Sequence, residues 1–142
     1  MSDDPVGGAG RRAARRAAVF LLYQHEITGL PADELEDNAR RAGEEVDGFA
    51  RELVNGVLSD REVLDAAIGA AARGWEVERI APLERSILRV ALHEMRSRDD
   101  VPTAVAINEA VELAKQYCQA EAAGFVNGVL GAVARSTAGA ST

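Results

Sequence analysis

The chain of 142 residues has one cysteine, two histidines and no long apolar run. A single cysteine, Cys118, excludes an intramolecular disulfide and a thiolate metal cluster. His25 and His93 belong to no metal-ligand spacing such as His-Glu-x-x-His. A phosphate-binding glycine loop and a Gly-x-Ser-x-Gly turn are both missing. Paired acids such as Glu44-Glu45 and Asp99-Asp100 fall at helix ends or in loops, where solvated carboxylates are the default. Nothing here supports an enzyme, a metal or a cofactor. No stretch approaches the ~18 apolar residues of a membrane span. The acidic start, Met1-Ser2-Asp3-Asp4-Pro5, is not a secretory signal. A cytoplasmic protein without a membrane partner is expected.

Negative charge is missing where positive charge gathers. The formal net charge is −7, yet no acid occurs from Val6 to His25. Four arginines, Arg11, Arg12, Arg15 and Arg16, stand inside that stretch. An acidic protein that concentrates positive charge offers it to an anionic partner. The spacing i, i+1, i+4, i+5 puts all four on one side of a helix. Arg12, Arg16, Val19 and Tyr23 fall in one line, a cationic stripe leading to an aromatic ring. Guanidinium groups meet phosphates, and a ring can stack on an unpaired base. The alternative is an ordinary solvated face. The helix macrodipole disfavours positive charge in the first turns, so helix stability does not explain the arginines.

Strand alternation with β-branched enrichment is also missing, and every segment between the ends reads as helix. Hydrophobic residues make up 47% of the chain, enough for one domain with a real core. The domain is expected over residues 11–135, between flexible tails at 1–10 and 136–142. The first helix, about Gly10 to Thr28, buries Ala14, Ala17, Ala18 and Leu21. A thin acidic helix over about 31–43 follows, with Leu35 and Ala39 inward. Asp47 caps a third helix. Ser59-Asp60-Arg61-Glu62 has the form of a capping box, but unbroken apolar spacing from Phe49 to Ala71 favours one long helix to about Ala72. Gly74 ends it, and Trp75 is expected as a core anchor. Pro82 starts a helix to about Ser97, and Thr103 or its neighbour opens the next. Polar Asn108 is expected to hydrogen-bond an adjacent helix end. Val126, Val129, Leu130 and Val133 mark the last helix, which should start near Ala122, a residue that cannot cap. Gly124, Gly128 and Gly131 suggest that another backbone packs closely there. The sum is an all-α, single-domain bundle of about seven helices.

Several segments match a known family. Arg11-Arg12-x-x-Arg15 followed by Ala-Val-x-x-Leu-Tyr through Tyr23 resembles the opening of the bacterial antitermination factors of the NusB family. Leu83-Glu84-Arg85-Ser86-Ile87-Leu88-Arg89-Val90-Ala91 is similar to its central helix. The run from Asp100-Val101-Pro102 to Lys115, with Phe125-Val126-Asn127-Gly128-Val129-Leu130-Gly131, looks like its two C-terminal helices. The resemblance covers about residues 11–134, with little of it in 31–48. It implies two packed helical sub-bundles and a non-enzymatic factor. It further implies binding of boxA in nascent ribosomal RNA transcripts, together with NusE, a small-subunit ribosomal protein, in an antitermination complex on RNA polymerase.

By that resemblance Arg11, Arg12 and Arg15 contact RNA, and Arg16 extends the patch. Lys115 and Phe125 lie near the same surface, with a core role open for Phe125. Tyr23 and Glu84 face NusE, although a first-turn carboxylate such as Glu84 is also favoured by the helix dipole. Two other readings stay open. One is a structural homodimer that covers the arginine face. The other is a NusB-like accessory domain of a ribosomal-RNA methyltransferase, whose catalytic domain does not fit in this length.

Overall fold

Pro82 sits at the first helical position of the element that organises all the others. Its fixed φ suits a helix start, and its missing N–H leaves no extra orphan donor there. The computed structural model describes residues 9–140. They form α1 (Ala9–Thr28), α2 (Ala32–Arg41), α3 (Gly48–Ser59), α4 (Arg61–Ala71), α5 (Pro82–Ser97), α6 (Thr103–Tyr117) and α7 (Ala122–Ala140). A 3-10 turn at Val77–Arg79 precedes α5. Along α5 every residue from Ser86 to Glu94 is buried, so neighbours surround the helix. On one side α1 and α3 pack on it, with α2 resting on α1. On the other side α4, α6 and α7 pack together and against α5. These are the two expected sub-bundles, and α5 is their shared wall. No described helix is long and apolar enough to cross a membrane.

The long third helix is a correction. The chain breaks at Asp60 (φ −108°, ψ 20°), which ends α3 and precedes α4. Its carbonyl accepts from Leu64 N at 2.9 Å, while its side chain makes no capping bond. Val57 and Leu64, both buried, stand seven residues apart, so the apolar period runs through the break undisturbed. The turn sends α3 onto α1 and α5, and α4 onto α5 and α7. Asp47 does cap α3, accepting from Ala50 N at 2.9 Å.

Trp75 is not a core anchor: it is 52% exposed, with its ring edge-on to Phe125 at 6.2 Å. It follows Gly74, whose positive φ (+82°) turns the chain, and Val77 and Ile80 fill the core instead. The close approach expected at the α7 glycines is absent at Gly124 and Gly128, where an added Cβ meets nothing within 4 Å. It occurs at Gly56 on α3, where a Cβ would overlap the buried His93 ring of α5. The only side chain that lets the two helices sit this close is a hydrogen.

The last helix continues to Ala140, so residues 136–140 are helical where a tail was expected. At the other end, Ala9 and Gly10 already belong to α1. Residues 1–8 and 141–142 of the expected tails lie outside the described residues. Ala122 is only 4% exposed and already helical. Phe125 N donates to the Glu121 carbonyl at 3.2 Å, which makes exposed Glu121 the capping position. Glutamate is a poor N-cap, so Glu121→Ser is expected to stabilise the fold by about 0.5–2 kcal/mol. Ala122→Ser should not, because its hydroxyl would enter the core. Urea denaturation of the two variants against the parent checks both statements.

Candidate nucleic-acid interface

Helix α1 separates its four arginines by a geometric rule. At about 100° per residue, Arg11, Arg15, Arg12 and Arg16 lie near 0°, 40°, 100° and 140° around the axis. Ala14, Ala18, Leu22 and Val19 occupy about −60° to 80° on the same wheel, and all four are buried. Arg15 therefore projects into the core stripe, while Arg12 and Arg16 stand beyond its edge.

The structure follows that division. The Arg15 side chain is 2% exposed and forks onto Glu94 of α5, itself 1% exposed. Its Nε and Nη2 donate to the two carboxylate oxygens at 2.8–3.0 Å. This corrects the stripe of four: Arg15 is a buried ion-pair partner and presents no exposed donor. Arg11 is half-buried, its guanidinium 4.4 Å from the centre of the Phe49 ring and 3.0 Å from Asp100. Asp100 also holds Arg98, and the hydrogen bond from Arg98, aided by Arg11, keeps its carboxyl below the usual range. Val19 is buried as well, which interrupts the line from Arg16 to Tyr23.

Arg12 and Arg16 face a groove. Helices α1 and α6 run side by side in the same direction: Arg12 reaches Glu109, and eight positions further along both helices Phe20 meets Tyr117 edge-on at 5.0 Å. Between them lies an open groove of about 580 Å³, lined by Arg12, Arg15, Arg16, Asn108, Glu109, Glu112, Leu113, Lys115 and Gln116. Asn108 is exposed here and makes none of the helix-end hydrogen bonding expected of it. Lys115 is exposed beside Glu112 at 3.4 Å, an ion pair of little energetic weight in water. Arg12 and Asn108 also line a second depression, which continues to Asn127 on α7. The arrangement offers guanidinium and ammonium donors, amide side chains that can read base edges, and an aromatic ring, Tyr117, 39% exposed at the far end.

The remaining candidates lie outside that groove. Phe125 is half-buried on α7 against Trp75. Tyr23 is half-buried on α1. Glu84 is half-buried in the first turn of α5, and burial raises its carboxyl pKa. Burial, with the Glu84 charge nearby, also raises the Cys118 thiol, which is the opposite of an activated nucleophile. Sequence reasoning missed Glu94, Glu109, Phe20, Gln116 and Tyr117. No local signal could have found Glu109, whose partner Arg12 is 97 positions away.

Comparison with known proteins matches this architecture. The NusB family model covers residues 12–135. The chain belongs to the NusB family of transcription antitermination proteins. The transcription antitermination protein NusB of Rubrobacter xylanophilus is 48% identical over 120 residues, 84% of this chain and 86% of that protein. The NusB of Symbiobacterium thermophilum is 43% identical over 141 residues, 92% of each chain. These relatives are not enzymes. Among solved structures, T. maritima NusB superposes with a TM-score of 0.80 at 28% identity, over 88% of this chain and 90% of that one. A crystal structure of antitermination factors NusB and NusE in complex with dsRNA gives 0.76 at 26% identity, over 89% of this chain and 96% of that one.

Proposed function

We propose that this NusB-family chain binds the boxA segment of nascent ribosomal RNA in the groove between α1 and α6. It does so with NusE bound beside it, as part of the antitermination complex on RNA polymerase. The observation that carries the reading is the convergence of Arg12, Arg16 and Lys115 on one open groove in a protein of net charge −7. The crystal structure of NusB with NusE and dsRNA supports the pairing of partners. Arg11, fixed on Phe49 and Asp100, and Phe125, against Trp75, are assigned to the same RNA although neither lines the groove. Tyr23 and Glu84 are assigned to NusE. Arg15 holds α1 onto α5 from within.

Fluorescence anisotropy with labelled single-stranded boxA RNA and a scrambled RNA of equal length tests this directly. Tighter binding of boxA, independent of protein concentration, is the expected result. Equal binding of the two RNAs removes the boxA assignment. An apparent affinity that falls as protein concentration rises supports the homodimer instead, with self-association covering the groove.

A further inference from the structure

We infer that Glu109 is a positioning residue, whose buried carboxylate holds the Arg12 guanidinium in place for an RNA phosphate. This rests on the proposed RNA groove. The Arg12 side chain is 64% exposed, and a solvated arginine samples many rotamers that a bound phosphate must freeze. Here the freezing is done beforehand. Arg12 Nε lies 3.2 Å from Glu109 Oε1 and 3.1 Å from Oε2. These bonds use Nε, the two terminal amino groups make no hydrogen bond among the described residues, and Arg12 lines the groove.

The carboxylate is itself built in. Glu109 is 8% exposed, and its Oε1 lies 3.8 Å from Nη1 of Arg15, which is forked onto Glu94. A chain of alternating charge, Glu94, Arg15, Glu109, Arg12, thus runs from the core to the groove wall. It ties α5, α1 and α6 together and ends on an exposed cation. The pair of Lys115 with Glu112 lacks this support, since both side chains are more than half exposed.

A carboxylate in an RNA groove also repels phosphate, so its charge and its positioning act in opposite directions. Two neutral substitutions separate them. Glu109→Gln removes the charge but keeps a carbonyl oxygen, and either oxygen position reaches Arg12 Nε. Glu109→Ala removes both. The binding of labelled boxA RNA by the two variants is compared by anisotropy at one salt concentration, with urea denaturation confirming that each is folded.

The alanine variant should bind about 3–10-fold more weakly than the glutamine variant, the cost of immobilising one long side chain on binding. In an Arg12→Ala background the two should bind equally, because positioning acts only through Arg12. Equal binding of the Gln and Ala variants in the native background overturns the inference. So does a ratio that persists without Arg12. If Arg12→Ala weakens RNA binding while the Gln and Ala variants agree, the groove stands and only the role of Glu109 falls. If the parent chain binds no RNA, both fall.

Discussion

Replacing Arg15 by alanine is expected to cost the fold about 3–5 kcal/mol, because it strands a buried carboxylate. A domain of this kind is stable by only about 5–15 kcal/mol in total. Glu94 is 1% exposed and receives both hydrogen bonds of the Arg15 fork. Without them it must protonate, drag in water or leave the core. Arg15→Met combined with Glu94→Leu removes both charges and should recover most of the loss, since replacing a whole buried pair is often near neutral. Arg12→Ala contrasts with this. Its side chain is 64% exposed and Glu109 keeps Arg15 nearby, so its loss should cost less than that of Arg15. Chemical denaturation of the three variants gives the comparison. If Arg15→Ala kept the parent stability and lost RNA binding, Arg15 would be an RNA contact and its buried role would be wrong.

NusE is expected to tighten boxA binding by a factor within about 5–150-fold, the usual range for two coupled sites. The physical reason is charge. A protein of net charge −7 repels RNA at long range, and the exposed cations of its groove are Arg12, Arg16 and Lys115, with Glu109 and Glu112 among them. A basic protein bound alongside adds phosphate contacts and offsets the repulsion. Linkage is reciprocal, so RNA must tighten the protein pair by the same factor. Glu84→Lys should weaken NusE binding and the enhancement together, while RNA binding by this chain alone holds or improves slightly. Calorimetric titrations of NusE with and without RNA measure both sides of the cycle. Additive binding, with no enhancement, would remove the reason for assigning a joint role.

Helix count and core were legible because 3.6-residue periodicity is a local property. Ala14, Ala18 and Leu21 on α1 and the Val126 to Val133 set on α7 are buried as the spacing implies. The boundaries of α5 and the Asp47 cap were legible for the same local reason. The break at Asp60 had a local signal in Ser59-Asp60-Arg61-Glu62, but the core repeats across it in register and that periodicity outweighed the signal. Trp75 misled because size suggests burial, whereas Gly74 had already turned the chain outward. The arginine cluster was half legible. Its composition pointed to an anion, and the apolar residues three and seven positions after Arg15, Ala18 and Leu22, already placed that side chain within the buried arc. Which of the four faces a groove, and that Glu109 answers Arg12, depends on how α6 lies against α1. No spacing within one helix contains that information.

The salt dependence of RNA binding counts phosphate contacts, and so reports whether the groove between α1 and α6 holds the RNA. Affinity for labelled single-stranded boxA RNA would be measured across a range of salt concentrations for the parent and for the Arg12→Ala, Arg16→Ala double variant. Each phosphate contact to a single strand contributes about −0.7 to the slope of log K against log salt. The double variant should bind more weakly at every concentration, with a slope flatter by up to about 1.4 units, and chemical denaturation should show it folded. Unchanged affinity and slope in a folded double variant would put the RNA on another face of the molecule.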